Sequence, residues 1–282
     1  MSKKILITGA GGYIGRHVVK VALNLGCEVI ASDISYKGID ERAHFEKLPI
    51  FSGDPELYEK MGKPDILIHM AWRDGFIHNS TAHMEDISKH IKFLNNMMDA
   101  GINSISVMGS MHEIGYWEGE IQADTPCDPQ TQYGIAKNAL RQSFFLYGKD
   151  KNTIQHWLRA YYIFGDDAHG SSIFSKLIQA AESGKKFFPF TTGKNKYDFI
   201  SVEELANQIV ATSIQKEIVG ITNVCSGEPV SLAQQVEWYI NHNNLNIELE
   251  YNAFPDRPYD SPAVWGNATD IKKIMTNMII NE

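Results

Sequence analysis

The eight residues Thr8-Gly9-Ala10-Gly11-Gly12-Tyr13-Ile14-Gly15 constrain this chain more than any others. They follow the apolar run Ile5-Leu6-Ile7 and open a segment with Val18, Val19, Ala22 and Leu23 at helical spacing. A buried strand therefore turns through glycines straight into a helix. Such a turn lets a diphosphate reach the N–H groups of the helix N-terminus, which a Cβ at the turning points would block. The spacing is G-x-x-G-x-x-G, through Gly9, Gly12 and Gly15, with Tyr13 and Ile14 between the last two. A second apolar run over residues 28–32 ends at Asp33-Ile34. A carboxylate there accepts hydrogen bonds from the ribose hydroxyls of an adenosine and repels a 2′-phosphate. The cofactor expected is NAD(P)(H), with NAD(H) favoured. Arg16 and Lys37 are near enough in sequence to soften that repulsion. By itself Asp33 also reads as a carboxylate capping its own turn.

The same rhythm continues. Apolar strands are expected at residues 65–70 and 104–108, separated by a helix over 84–100 that ends at Gly101. A further helix runs over 133–147. Strands alternating with helices predict an α/β fold, a Rossmann doubly wound parallel sheet covered on both faces. Past Gly165 the pattern changes to helices over 173–181, 201–214 and 231–241, with a strand-to-turn signal at 224–229. Ser201 and Glu204 have capping-box spacing. The expected organisation is a nucleotide-binding domain, residues 1–165, and a smaller C-terminal α/β substrate lobe, residues 166–282, some segments of which return to the first sheet.

With 282 residues, 43% of them hydrophobic and 21% charged, the chain has globular composition. A net charge of -8 without a basic run argues against nucleic acid as a partner. No apolar stretch is long enough to span a membrane. Cys27, Cys127 and Cys225 are far apart and odd in number, which fits reduced thiols in a cytoplasmic protein and gives no metal spacing. Cys127 reads as a passive thiol.

Tyr133 and Lys137 stand at i and i+4 on one face of the predicted 133–147 helix. A phenol is a poor base at neutral pH. A nearby ammonium, joined by the positive charge of an oxidised nicotinamide, favours the phenolate. Such a tyrosine exchanges a proton with an alcohol or carbonyl while a hydride moves.

These motifs together resemble the extended short-chain dehydrogenase/reductase family of nucleotide-sugar epimerases, dehydratases and reductases. Thr8–Gly15 is similar to its T-G-x-x-G-x-x-G, and Gly53-Asp54 to a motif whose Asp contacts adenine. His69-Met70-Ala71-Trp72 is similar to H-L-A-A, a strand end lining the cofactor, and Ser110 to the Ser of S-S-x-x-V-Y-G. Tyr197-Asp198-Phe199-Ile200 resembles R-D-F-I/V, and Arg257 opens a segment like R-x-G-D-x-P-A-x-W. The resemblance implies a general acid/base Tyr133, a Ser110 hydroxyl on the reacting oxygen, and a Lys137 on the nicotinamide ribose. It implies an Arg257 on the substrate diphosphate. His112, two residues past Ser110, is a candidate substrate contact; His169 is a weaker one.

Departures narrow the reaction. Met111-His112 replace the Asp-Glu of 4,6-dehydratases, which argues against dehydration. Tyr162 stands where R-x-x-N has its Asn, and Tyr197 where R-D-F-I has its Arg. The pattern is closest to reductases of the C4 ketone of dTDP-4-keto-6-deoxyhexoses, which make 6-deoxysugars for surface glycans. An NAD-dependent 4-epimerase is the alternative, and a non-catalytic NAD(P)-sensing protein a remote one. The resemblance also implies a homodimer, although Ile87, Ile91, Phe93, Leu94, Leu140, Phe144 and Phe145 could equally serve the core.

Overall fold

A computed structural model describes residues 2–165, 172–256 and 260–281. Fourteen strands and eight helices follow one another along these residues. They are β1 (Lys4–Thr8), α1 (Gly15–Asn24), β2 (Glu28–Ser32), β3 (His44–Glu46), α2 (Leu57–Lys60), β4 (Ile66–His69), α3 (Ala82–Asp99) and β5 (Ser104–Ser110). A 3₁₀ turn (Met111–Glu113) leads to β6 (Gly119–Ile121), α4 (Gln132–Gly148), β7 (Ile154–Ala160), β8 (Tyr162–Phe164), α5 (Ile173–Glu182), β9 (Phe187–Pro189) and β10 (Lys196–Ser201). The rest are α6 (Val202–Ile214), β11 (Gly220–Val224), β12 (Pro229–Ser231), α7 (Leu232–His242), β13 (Glu248–Glu250), β14 (Ala263–Gly266) and α8 (Thr269–Asn281).

Seven parallel strands form the main sheet in the order β11-β7-β5-β4-β1-β2-β3. The Rossmann expectation holds. Strand alternation divides the core between the two faces. Ile5 and Ile7 point into one cluster with Val18, Val19 and Ala22 of α1 and Leu205 and Ile209 of α6. Leu6 points into the other, with Phe93, Leu94 and Met97 of α3 and Leu140 and Phe144 of α4. Phe93, Leu94, Leu140 and Phe144 are thus core residues of one chain, whereas Ile87, Ile91 and Phe145 are only half-buried.

β11 comes from beyond residue 165 and extends the main sheet beside β7, because its Val224 and the α6 helix before it complete the first cluster. Three C-terminal strands join two earlier ones in a second sheet, β12-β10-β14-β6 with β8 beside β10, and β9 pairs with β13 in a separate ribbon. Asp198 ties the second sheet together. Its buried carboxylate accepts from the Ser226 N–H and hydroxyl (2.8 and 2.6 Å), the Gly227 N–H (3.0 Å) and the Gly266 N–H (3.1 Å).

The capping box lies elsewhere than expected. Ser201 caps α6 by accepting from the Glu204 N–H, but the Glu204 side chain takes the Gln208 amide instead. The reciprocal pair is Ser231 with Gln234, at the start of α7. Among the described residues no helix is long and apolar enough to cross a membrane.

Candidate active site

The order of the main sheet reverses about β1, so a crevice opens beyond the C-terminal ends of β1 and β4, where open α/β sheets bind ligands. The glycine loop sits there. Gly9 has φ +71°, and a Cβ on it would lie 2.7 Å from the Ala71 nitrogen at the end of β4. A Cβ on Gly15 would overlap the Gly9 carbonyl oxygen. The loop therefore closes only with glycine at these two points. No side chain caps α1 at Ile14, and its first turn holds no acidic residue. An anion is the natural partner of such a helix start. The Tyr13 hydroxyl, 2.5 Å from the Gly165 carbonyl, fastens the loop to the end of β8.

Asp33 sits at the end of β2. One carboxylate oxygen accepts the Gly11 N–H at 2.9 Å and the other the Ile34 N–H at 2.6 Å. It caps its own turn and braces the glycine loop, and each oxygen keeps a lone pair for a ribose hydroxyl. The Ile34 side chain is 84% exposed beside it. Asp54 accepts from the Lys60 ammonium (2.6 Å) and the Glu56 N–H (2.9 Å), which holds its carboxyl below the usual range. Met70, Ala71 and Trp72 follow β4, half-buried. The glycine cradle, the uncapped α1 and the Asp33 carboxylate fit a dinucleotide such as NAD.

His69 ends β4 fully buried, between the Thr8 hydroxyl (2.7 Å) and the His90 ring (2.8 Å). Burial pushes its pKa well down, so it is a neutral tie between β1, β4 and α3.

Tyr133 and Lys137 lie on the inner face of α4, whose N-terminus is capped by the Thr131 hydroxyl. The sequence expects the lysine and an oxidised nicotinamide together to favour the phenolate; in the protein by itself the lysine's contacts lie elsewhere. The buried Lys137 ammonium donates to the Met108 carbonyl at 2.8 Å and lies 3.7 Å above the Trp72 ring, but 5.8 Å from the centre of the Tyr133 ring. Burial pushes the Tyr133 phenol up to about 12, opposed by its hydrogen bond to Ser110. Burial likewise pulls Lys137 down to about 7. In the protein alone desolvation outweighs charge, and the Tyr133 phenol is protonated at neutral pH.

Ser110 ends β5 and accepts the His112 N–H at 3.3 Å, so the 3₁₀ turn holds His112 beside it. The His112 ring is edge-on to Tyr133, 6.0 Å between centres, and burial lowers its pKa to about 4. Ser110, His112, Tyr133 and Lys137 thus converge. Arg257 and His169 lie outside the described residues. Two departures from the family pattern meet in the second sheet, where the Tyr162 and Tyr197 rings are 4.5 Å apart.

Three histidines that sequence reasoning passed over complete the wall. His78 stacks on Tyr133 (5.7 Å, 12° between planes), His83 meets the same ring edge-on at 5.3 Å, and His90 stacks on Trp72 at 4.5 Å. Nothing in their spacing announces this, since the loop after β4 carries His78 and helix α3 carries His83 and His90. The buried Glu113 was passed over as well. It accepts from the Arg159 guanidinium at 2.6 Å and from the Trp157 indole at 2.9 and 3.0 Å.

The sequence pattern of the NAD dependent epimerase/dehydratase family matches residues 5–225. The dTDP-6-deoxy-L-talose 4-dehydrogenase (NAD(+)) of Aggregatibacter actinomycetemcomitans is 45% identical over 269 residues, 93% of this chain and 98% of that one. A UDP-glucose 4-epimerase of Lactobacillus helveticus is 25% identical over 72% of this chain and 69% of its own length. Among solved structures, a UDP-N-acetylglucosamine 4-epimerase from Methanobrevibacter ruminantium superposes with TM-score 0.84 at 19% identity, covering 97% of this chain and 92% of that one. The glycine cradle at β1, the tyrosine and lysine of α4 and this end-to-end similarity make the chain a member of the NAD-dependent epimerase/dehydratase family of enzymes.

Proposed function

We propose that this enzyme moves a hydride at C4 of a dTDP-linked 6-deoxyhexose, interconverting the 4-ketone and the 4-alcohol. The observation that carries this reading is the 45% identity, over 98% of its length, to a dTDP-6-deoxy-L-talose 4-dehydrogenase. The ketoreductase expected from the sequence and that dehydrogenase run one reaction in opposite directions.

NAD, when bound, supplies the nicotinamide that gives or takes the hydride. The chain's own residues handle the proton. In the reductive direction the Tyr133 phenol, protonated at neutral pH, gives its proton to the C4 oxygen as the carbonyl π bond breaks. Ser110, at the end of β5 beside that phenol, donates to the same oxygen and steadies its developing charge. Lys137, fixed by the Met108 carbonyl and the Trp72 ring, would hold the nicotinamide ribose of the bound cofactor. Arg257 is assigned to the substrate diphosphate by family resemblance alone.

A 4-epimerase is the second reading, favoured by the similarity to the Lactobacillus helveticus enzyme. Nicotinamide absorbance separates the two. With a dTDP-4-keto-6-deoxyhexose, stoichiometric oxidation of NADH and a 4-hydroxy product are expected, with the reverse from NAD and dTDP-6-deoxy-L-talose. A protein purified with retained NAD, showing no net redox change while it interconverts UDP-sugars, overturns the reading in favour of the epimerase.

The half-buried Ile87 and Ile91 of α3 and Phe145 of α4, beside the exposed Leu146, support a proposed homodimer formed through these two helices. Light scattering at micromolar concentration is expected to give twice the chain mass; a monomer refutes it.

A further inference from the structure

The loop between β4 and α3 is fastened along its length. Arg73 donates to Asp86 at 2.9 Å, and Asp74 (φ +58°) accepts the Ile77 N–H at 2.7 Å through its carbonyl and the Ser80 hydroxyl at 2.6 Å through its side chain. The loop is then tied to the start of α4. The Tyr133 N–H donates to the His78 carbonyl at 2.9 Å and the Gln132 N–H to the Asn79 side chain at 3.3 Å. These bonds set the His78 ring on the Tyr133 ring and bring it to 4.4 Å, centre to centre, from His112.

The imidazoles around Tyr133 fall into two groups. Those behind it are bonded. His69 uses both ring nitrogens on Thr8 and His90, and His83 uses its own on the Trp72 indole (3.1 Å) and the Ile77 carbonyl (3.0 Å). The His78 and His112 rings form no hydrogen bond among the described residues, and both stay only partly buried beside the reactive phenol. Burial keeps both below their ordinary pKa, and each is also lowered by a neighbouring histidine. A neutral imidazole offers one donor and one acceptor, the complement of a sugar hydroxyl.

We propose that His78 is a substrate contact that, paired with His112, hydrogen-bonds the sugar hydroxyl next to the carbon undergoing hydride transfer. This rests on the reading of the site as one for a nucleotide-linked hexose. Because its main chain holds Tyr133 and its side chain holds the sugar, His78 links substrate position to that of the proton donor.

The test is calorimetric titration of the NADH-loaded protein, which cannot oxidise the alcohol, with dTDP-6-deoxy-L-talose, dTDP and UDP-glucose. His78→Phe keeps the ring stack and removes the nitrogens. It is expected to weaken dTDP-6-deoxy-L-talose about five- to tenfold, the value of one neutral hydrogen bond, with NADH and dTDP unaffected. His78→Asn retains a donor and an acceptor and is expected to recover part of the loss; it also serves if the phenylalanine variant misfolds. Unchanged sugar-nucleotide affinity in both variants, or an equal loss for dTDP, overturns the proposal. If the wild type takes UDP-glucose and refuses the dTDP-sugar, the substrate reading fails, and the same two variants judge His78 with UDP-glucose.

Discussion

Tyr133→Phe lowers turnover by about two to four orders of magnitude and leaves NAD affinity unchanged. The substitution removes one oxygen. The ring stays stacked on His78 and edge-on to Trp72, His83 and His112. Lys137 keeps its place, since its hydrogen-bond acceptor is the Met108 carbonyl and its platform the Trp72 ring. What disappears is the proton donor at the reacting oxygen. The direction of the pKa shift adds a second observable. Burial holds the phenol protonated up to about 12 in the protein alone. Reduction, which uses the acid form, is therefore fully available at neutral pH. Oxidation, which needs the phenolate, speeds up as pH rises, and the phenylalanine variant loses that dependence. Single-turnover kinetics in both directions check it, and turnover within about tenfold of wild type would remove Tyr133 from the proton-transfer step.

Glu113→Leu destabilises the fold by about 3–5 kcal/mol, the usual cost of leaving one member of a buried ion pair alone. Glu113 and Arg159 are both fully buried, with 2.6 Å between carboxylate oxygen and Nε. The Trp157 indole donates to the same carboxylate, and Arg141 stands 3.9 Å off on its other side. Leucine leaves two guanidinium groups and an indole N–H facing hydrocarbon. Glu113→Gln keeps an acceptor for the indole and costs less. The double variant Glu113→Leu with Arg159→Met removes both charges and recovers most of the loss, because the penalty lies in the orphaned partner rather than in the missing attraction. Urea midpoints of the three variants measure this. A loss below about 1 kcal/mol for Glu113→Leu, in the range of an exposed pair, refutes the assignment. Glu113 also ends the 3₁₀ turn that begins at Ser110, so the same variant is expected to misplace Ser110 and His112 and lower turnover.

The pair also explains a local sequence choice. Gly109 precedes Ser110, and a Cβ on it would overlap the Trp157 indole. Trp157 can reach Glu113 only across a residue without a side chain. From the sequence alone, Gly109 is an ordinary residue at the end of an apolar run.

Periodicity and local chemistry carried much of the architecture. Helices read at 84–100 and 133–147 are Ala82–Asp99 and Gln132–Gly148, since each combines apolar spacing with a clear start or stop. The glycine loop was legible because backbone geometry, not distant packing, demands glycine there. The same holds for the shared face of Tyr133 and Lys137, a consequence of helical pitch. The short strands β3, β6, β8, β9, β13 and β14 were not, because three- or four-residue runs hold too little pattern. The return of β11 to the main sheet was legible only as a possibility, since its place depends on α6 packing against α1.

What the sequence determined by itself is whatever follows from neighbours along the chain: the strand-turn-helix start, the parallel α/β order and the residue types of the glycine cradle and the Tyr133 and Lys137 pair. Tertiary structure alone decided what depends on groups distant in sequence. Desolvation by the surrounding fold raises the pKa of the Tyr133 phenol further above neutral, with a lysine one helical turn away. The folding of the 70–81 loop across α4 brings His78 onto Tyr133. Glu113 finds Arg159 across 46 residues. Burial and long-range hydrogen bonding are properties of the packed chain, and no local spacing encodes them.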